Sequence, residues 1–185
     1  DVKKDLASAL AEACEPEPGL NLGQCGSGFL EQYRSLRDQG LVADVQAMVG
    51  GGECSGGLSV YGHSLGAALA SLFTAELWTV DAALYSPGFL KQVTFGEPRT
   101  FASEDADRYQ AAIDKDRWTN WGDPVPSLPP AILDLKHFGS AFEIYKNWSG
   151  SFFFYEEPQD FSPDGVQPLR HKIGSYIERL EACSP

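Results

Sequence analysis

The stretch LSVYGHSLGAALASLFTAELW, residues 58–78, decides the fold of this 185-residue chain. Its opening, Leu58–Tyr61, predicts a short strand, and the Ala-rich apolar run from Leu65 to Trp78 predicts a buried helix. Between them stands Gly62-His63-Ser64-Leu65-Gly66, a G-x-S-x-G pentapeptide. A strand, a tight turn and a helix in this order predict a nucleophile elbow with Ser64 at its tip.

An elbow of this kind makes demands on the residues around the serine. We expect Gly62 and Gly66 to remove Cβ atoms that would otherwise collide at the turn. The helix beginning at Leu65 points its positive N-terminal end at Ser64, so the Leu65 backbone N–H is the expected oxyanion donor. We expect no cofactor and no metal ion in this chemistry.

A nucleophilic serine needs a base, and the chain has three histidines. Both His137 and His171 follow Ser64, as the α/β-hydrolase order of serine, acid and histidine requires. We assign the base to His171, at the opening of the last predicted helix, where its ring could reach the carboxyl edge of the sheet. We expect His137 to make a structural hydrogen bond, and His63 to pack on the other side of the elbow.

The acid must lie between the serine and the base. Asp123 directly follows a predicted strand and opens an Asp-Pro-Val-Pro segment, so it lies where α/β sites assemble. Its role would be to orient His171 and to stabilise its protonated form. Asp134 is the reserve candidate. The other carboxylates in this region are interpreted as the solvated face of a helix: Asp105, Asp107, Asp114 and Asp116.

The rest of the pattern alternates helices with strands. Helices are predicted over Asp1–Cys14, Phe29–Met48, Ser103–Ile113 and His171–Cys183, with Ser103 as a cap and Gly50-Gly51-Gly52 as a stop. Strands are predicted over Gln92–Gly96, Arg117–Trp121 and Phe142–Tyr145, and Glu15–Gly23 is predicted as loop. No linker divides the chain, so residues 1–185 are interpreted as one α/β domain with a mostly parallel sheet.

Composition excludes several classes of function. With 14 basic and 26 acidic residues, the chain carries a net charge of −12 and has no Lys/Arg cluster. Nucleic acids and anionic membrane surfaces would be repelled at long range. No stretch approaches the roughly 18 apolar residues of a membrane span. The four cysteines form no CxxC pair, which argues against a zinc site.

An oxidising compartment is the predicted location. The even number of cysteines fits disulfides, and Asn147-Trp148-Ser149 is an N-glycosylation sequon. We therefore interpret the protein as secreted, with four reduced thiols in a cytosolic protein as the alternative. Cys14 and Cys25 flank a short Pro/Gly loop and are expected to pair. Cys183 is expected to meet Cys54 or to hold a segment outside the chain.

Three blocks of sequence together resemble the class 3 (fungal-type) lipases. They are YGHSLGAALA (residues 61–70), TFGEPR (94–99) and DPVPSLPP (123–130), with KHFG (136–139), His171 and Tyr176 in the same order. The resemblance runs from about Gly28 to Tyr176. It implies an α/β-hydrolase fold with helices on both faces, hydrolysis of carboxylic esters and a Ser64–Asp123–His171 triad. Residues 100–103 depart from it, because the Val-Gly-Asn common there is missing.

A larger departure lies at the N-terminus. In this family a strand with a Gly-Thr/Ser turn supplies the second oxyanion donor, and an amphipathic lid follows it. Nothing in the chain matches these segments, so the resemblance implies an α/β-hydrolase sheet truncated at its N-terminus. We also expect an already processed or excised chain, because it begins with Asp1. A second polypeptide, from the same precursor or an adjacent subunit, is therefore expected to donate the strand and the oxyanion turn.

These observations favour a secreted serine ester hydrolase, in the first instance a triacylglycerol lipase. An esterase for soluble esters, such as feruloyl esters, is the alternative within the same fold. A catalytically silent lipase-like binding protein is the alternative from another class.

Overall fold

The computed structural model describes residues 11–52, 56–146, 152–155 and 167–182. Nine strands lie in this part of the chain: β1 (Ala11–Ala13), β2 (Gln24–Gly26), β3 (Leu58–His63), β4 (Leu90–Phe95), β5 (Phe101–Ala102), β6 (Asp114–Asn120), β7 (Leu135–Lys136), β8 (Ser140–Lys146) and β9 (Phe152–Tyr155). The same residues form five α-helices: α1 (Ser27–Arg37), α2 (Leu41–Gly50), α3 (Leu65–Val80), α4 (Ser103–Gln110) and α5 (Ile173–Ala182).

The larger sheet positions the elbow. Its strand order is β3-β4-β6-β8-β9, in which the first four strands run parallel and β9 pairs antiparallel with β8. The predicted α/β architecture with a mostly parallel sheet is confirmed, and each predicted strand is present with shifted ends. Because parallel strands end at the same edge, β3, β4 and β6 bring the residues that follow them together. That edge holds the site.

A second, smaller sheet was not predicted. It has the antiparallel order β1-β2-β5-β7, from strands of only two or three residues. The prediction of a helix up to Cys14 is wrong for its described part, since Ala11–Ala13 forms β1. The Cys14–Cys25 disulfide closes the loop between β1 and β2, and the Cys14 N–H donates to the Gly23 carbonyl at 2.8 Å. Tertiary contacts therefore override the helical periodicity.

The helix predicted over Phe29–Met48 is two helices. Gly40 separates α1 from α2 with φ at +99°, a left-handed conformation that ends a helix and that glycine adopts without strain. The predicted stop after α2 is confirmed, because the helix ends at Gly50. The prediction that Ser103 caps α4 is corrected, because Ser103 is the first residue of that helix and the capping position belongs to Ala102, whose side chain makes no cap.

Helix α3 is buried along most of its length and packs on β3, β4 and α1. One charged residue lies in its apolar surface. Glu76 accepts hydrogen bonds from the Tyr33 hydroxyl at 2.7 Å and from Arg37 Nε at 2.8 Å, both on α1. A buried carboxylate with two such donors is satisfied, whereas removal of either donor would leave it partly unpaired. This contact fixes α1 against the helix that begins at the elbow.

The expected pairing of Cys14 with Cys25 is confirmed. Cys54, Cys183 and the sequon at Asn147 lie outside the described residues. None of the helices in the described ranges combines the length and the apolar character that a membrane span requires. That residues 1–185 form one domain stays a prediction.

Candidate active site

Ser64 stands on a strained turn between β3 and α3. Its φ of 57° and ψ of −128° lie outside the helical and extended regions, an arrangement typical of a nucleophile held by its surroundings. The Ser64 N–H donates to the Phe95 carbonyl of β4 at 3.0 Å. A Cβ on Gly62 would lie 2.5 Å from the Gly66 carbonyl oxygen, so glycine is required there. The same expectation is wrong for Gly66, where a Cβ meets no described atom within 4 Å.

The structure brings Ser64, His171 and Asp123 into one line of hydrogen bonds. The Ser64 Oγ lies 2.6 Å from His171 Nε2, and His171 Nδ1 lies 3.0 Å from Asp123 Oδ2 and 3.1 Å from Oδ1. Because a carboxylate only accepts, Nδ1 carries the proton and donates it to Asp123. Nε2 of the neutral ring is then free to accept the serine proton. Such an arrangement can activate a serine as a nucleophile.

Asp123 is fully buried and surrounded by donors. Its side chain has no exposed surface, its Oδ1 accepts the Val125 N–H at 2.9 Å, and its Oδ2 accepts the Tyr176 hydroxyl at 2.6 Å. The Tyr176 oxygen in turn accepts the Asn120 N–H at 3.1 Å. Burial, followed by the neighbouring carboxylate, raises the pKa of Tyr176 well above its ordinary value, so the hydroxyl keeps its proton. These donors hold a buried carboxylate in one orientation.

The sequence predicted no contact between Tyr176 and Asp123. Tyr176 belongs to the family resemblance, in order after His171, but no partner was predicted for its hydroxyl. One signal was present, because a tyrosine that is buried in an apolar face needs a partner for its hydroxyl. Its partner could not be named without the structure.

Gly96, the residue after β4, lets these groups meet. Its φ is +57°, and a Cβ there would lie 2.8 Å from Asp123 Oδ2, 3.0 Å from His171 Nδ1 and 3.0 Å from the Tyr176 hydroxyl. Any side chain there would therefore displace Asp123 and His171. The sequence motif contained this glycine, but only the fold shows what it faces.

His171 is held by a short turn rather than by a helix. It ends the 3₁₀ turn Pro168–His171, two residues before α5 begins, so the prediction that it opens the last helix is corrected. The turn is tied to the end of β6. Asn120 Nδ2 donates to the Arg170 carbonyl at 2.9 Å, and Arg170 Nη1 donates to the Trp121 carbonyl at 2.9 Å. His171 and Asp123 are therefore held in one frame.

The other two histidines have different surroundings. His137 Nε2 donates to the Pro126 carbonyl at 2.8 Å, which confirms its predicted structural hydrogen bond. Burial, followed by nearby Arg117, lowers the pKa of His137 well below its ordinary value. The expectation that His63 packs on the other side of the elbow is wrong. Its ring stacks on that of His171 with centroids 4.8 Å apart.

Of the remaining predicted residues, Leu65 is the first residue of α3. Backbone N–H groups in the first turn of a helix have no partner within the helix, so the Leu65 N–H is placed to act as a donor beside Ser64. Asp134 lies elsewhere, where its carbonyl accepts the Ser103 N–H at the start of α4. Asp105 is not merely solvated, because it accepts the Gln24 N–H at 2.7 Å.

Arg99 fixes the loop that follows Asp123. Its Nη1 donates to the Ser127 carbonyl at 2.5 Å and to the Pro129 carbonyl at 2.8 Å, and its backbone N–H donates to the Leu128 carbonyl at 2.7 Å. The arginine of the TFGEPR block thus contacts the DPVPSLPP block. This contact joins the two blocks in the fold.

A buried polar cluster lies beneath the elbow helix. Lys115 Nζ lies 2.8 Å from both Glu97 Oε1 and Ser71 Oγ, and Gln92 Nε2 donates to the same hydroxyl at 2.9 Å. Burial, opposed by Glu97, lowers the pKa of Lys115 to about 8. The cluster joins α3 to β4 and β6.

Across the described ranges, no group of three or more His, Cys, Asp or Glu residues could hold a metal ion.

Known proteins are similar to this chain in sequence. Residues 1–133 match the family Lipase (class 3). A curated relative is Phospholipase A1 EG1, chloroplastic/mitochondrial, from Oryza sativa subsp. indica, which is 28% identical over 203 residues; the alignment covers 99% of this chain and 44% of the relative.

Solved structures show the same fold. A Rhizomucor miehei lipase in complex with its propeptide matches with a TM-score of 0.72 and 28% identity, over 88% of this chain and 52% of that chain. Lipase II from Rhizopus niveus matches with a TM-score of 0.69 and 26% identity, over 88% of this chain and 62% of that chain. A triacylglycerol lipase described as having a serine protease triad at its catalytic centre matches with a TM-score of 0.71. The chain spans about half the length of the relatives it matches.

Proposed function

Because this chain belongs to the class 3 lipase family, we propose that it hydrolyses carboxylic esters with Ser64 as nucleophile, His171 as general base and Asp123 as the acid that orients it. The observation that carries the proposal is the continuous line from Ser64 Oγ through His171 to Asp123, with separations of 2.6 and 3.0 Å. Each of the three groups has the partner that its role requires.

The reaction would proceed through an acyl-enzyme. Ser64 Oγ attacks the acyl carbonyl carbon while His171 Nε2 takes its proton, and Asp123 stabilises the resulting imidazolium. The Leu65 N–H donates to the oxyanion of the tetrahedral intermediate. His171 then gives its proton to the leaving alcohol, and a water molecule, activated by the same ring, releases the acid. No step needs a cofactor.

For the substrate we propose an acylglycerol, with the protein acting as a triacylglycerol lipase. The proposal is supported by the similarity to a triacylglycerol lipase of known structure and to lipase II from Rhizopus niveus. The rice relative is named a phospholipase A1, so phospholipids belong in the same assay. Rates of hydrolysis of soluble esters, such as feruloyl esters, should be compared with those of acylglycerols, because this comparison separates an esterase from a lipase.

A second oxyanion donor is proposed to come from a further polypeptide segment, in the same precursor or in a partner subunit. Supporting this, β3 is the edge strand of the larger sheet within the described residues. An unpaired edge beside the nucleophile can accept one more strand. Loss of a single oxyanion donor typically lowers kcat about 100- to 1000-fold, so such a segment would matter for rate.

Secretion is likewise a proposal. The Cys14–Cys25 disulfide supports an oxidising compartment. The rice relative's name assigns it to chloroplasts or mitochondria. Fractionation of cells expressing the intact protein, with a glycosidase test for a sugar on Asn147, would distinguish these locations.

A serine-directed probe tests the catalytic proposal. A fluorophosphonate should label the wild-type protein once per chain at Ser64, and Ser64→Ala should lose both labelling and ester hydrolysis. Ser86→Ala, at a serine outside the site, is a matched control and should keep both. Labelling of another residue, or labelling that survives Ser64→Ala, would overturn the assignment. A folded protein with an intact triad geometry but no turnover on any ester would instead favour the silent binding protein.

A further inference from the structure

We propose that His63 is a positioning residue for the base, holding His171 at the correct distance from Ser64. The inference rests on the proposed function, because it concerns the same site. It starts from a short hydrogen bond: His63 Nε2 lies 2.6 Å from the backbone carbonyl oxygen of His171. A carbonyl oxygen can only accept, so His63 must carry its proton on Nε2.

Ring contacts support the same alignment. The rings of His63 and His171 stack with centroids 4.8 Å apart and an angle of 28° between their planes. The edge of Tyr176 packs against His63, with centroids 5.9 Å apart and an angle of 70°. His63 thus restrains both the main chain and the ring plane of the residue that must move a proton.

The position of His63 in the fold gives these contacts their importance. Three hydrogen bonds tie the segment Gln167–Arg170 to Asn120, Trp121 and Gly122, on the acid's side of the site. The His63 bond ties the next residue, His171, to β3, the strand that carries the nucleophile. It therefore connects the two elements whose separation sets the distance from Ser64 Oγ to His171 Nε2.

Proton transfer is sensitive to that distance. A misplacement of about 1 Å can reduce rates about 100-fold. Because the His63 hydrogen bond goes to the main chain of His171 and not to its ring or to Ser64, its loss should lower kcat and leave KM nearly unchanged. A side chain that restores the donor should restore the rate, even if it cannot stack.

Two substitutions separate the hydrogen bond from the ring. His63→Phe keeps an aromatic ring but has no donor, and His63→Gln places an amide N–H near the former position of Nε2. In the intact protein, with competent sites counted by fluorophosphonate titration, we expect His63→Phe to lower kcat about 10- to 100-fold. We expect His63→Gln to recover most of this loss. Tyr61→Phe is the matched control. Tyr61 lies two residues earlier on β3 and is 68% exposed, so its replacement should leave kcat unchanged.

A measurement on the unmodified protein keeps the test independent of folding in the variants. Nitrogen-15 NMR of labelled histidine should show His63 protonated at Nε2. A His63 ring protonated at Nδ1 alone would overturn the inference. So would a kcat for His63→Phe within about threefold of wild type, or a loss in His63→Gln equal to that in His63→Phe.

Failure of the proposed function gives a different result. In that case the wild-type protein would neither react with the fluorophosphonate nor hydrolyse esters. The NMR measurement would then still report whether His63 donates to His171.

Discussion

The Tyr176 hydroxyl donates to Asp123 Oδ2 at 2.6 Å while it accepts the backbone N–H of Asn120 at 3.1 Å. One oxygen thus links the last helix, the end of β6 and the proposed catalytic acid. Because Asp123 is fully buried, the orientation of its carboxylate depends on such donors.

Replacement of Tyr176 by phenylalanine should impair catalysis as well as folding. It removes a donor from Asp123 and leaves the buried Asn120 N–H without its acceptor, which costs about 1–3 kcal/mol of unfolding free energy. We expect kcat to fall about tenfold with little change in KM, because the acid is held less firmly. Steady-state kinetics and urea unfolding measure the two effects.

Tyr109→Phe is the matched control. The Tyr109 hydroxyl is also buried and donates to the Leu22 carbonyl at 2.9 Å, but it lies outside the site. Its loss should lower stability comparably and leave kcat unchanged. Equal kcat values in Tyr176→Phe and Tyr109→Phe would contradict a role for Tyr176 at the acid.

Gly96→Ala should disrupt the triad itself. The added Cβ would lie 2.8 Å from Asp123 Oδ2 and 3.0 Å from His171 Nδ1, so both side chains must shift. We expect kcat to drop about 100-fold or more. Gly88→Ala introduces a similar left-handed strain, at φ +96°, with no described atom within 4 Å of the new Cβ. If both variants lose the same activity, backbone strain rather than contact with the triad is responsible.

Asp123→Asn should keep the fold and remove the charge that stabilises protonated His171. The corresponding change in a serine protease lowers kcat about 10⁴-fold, because the histidine adopts the wrong tautomer. Active-site-titrated kinetics at pH 7 measure the effect. Asp134→Asn should have little effect, and a loss of less than about tenfold in Asp123→Asn would require another acid.

His137 should make stability depend on pH. Its pKa is lowered by burial, so below the ordinary value near 6.5 the unfolded chain binds a proton that the folded chain does not. The free energy of unfolding should therefore fall as pH decreases from 7 to 5, by up to about 1.4 kcal/mol per pH unit from this residue.

His137→Gln tests this origin of the pH dependence. The glutamine amide can still donate toward the Pro126 carbonyl but does not titrate. Urea unfolding at several pH values should give a shallower slope for the variant than for wild type. Parallel slopes would show that His137 is not the group responsible.

Local sequence was sufficient wherever a structural feature depends on neighbouring residues. The elbow was predicted from a strand that is followed by Gly62, Ser64 and an apolar helix. Steric limits restrict the required turn to a few residue types, so the pattern is informative. The short Pro/Gly loop predicted the Cys14–Cys25 bridge, because it keeps the two cysteines close along the chain. Order along the chain, together with the place of Asp123 at the end of a strand, selected Asp123 and His171, which the structure brings together with Ser64.

Periodicity failed where distant contacts outweighed local preference. Ala11–Ala13 follows a helical pattern but pairs with β2, to which the disulfide ties it. The continuous apolar pattern of Phe29–Met48 concealed a break at Gly40, whose left-handed conformation begins a new helix. In the first case, pairing with a distant strand overrode the helical pattern. In the second, the local preference of glycine for a left-handed conformation ended the helix.

The sequence by itself determined the elbow, the parallel α/β arrangement and the candidate residues Ser64, Asp123 and His171. Only the tertiary structure decided what holds them. His63, Gly96 and Tyr176 lie 108, 75 and 5 residues from His171 along the chain, yet all three contact it or its partner Asp123. Hydrogen bonds and close approaches depend on distances in space, and those distances arise only when the strands align and the last helix packs against them.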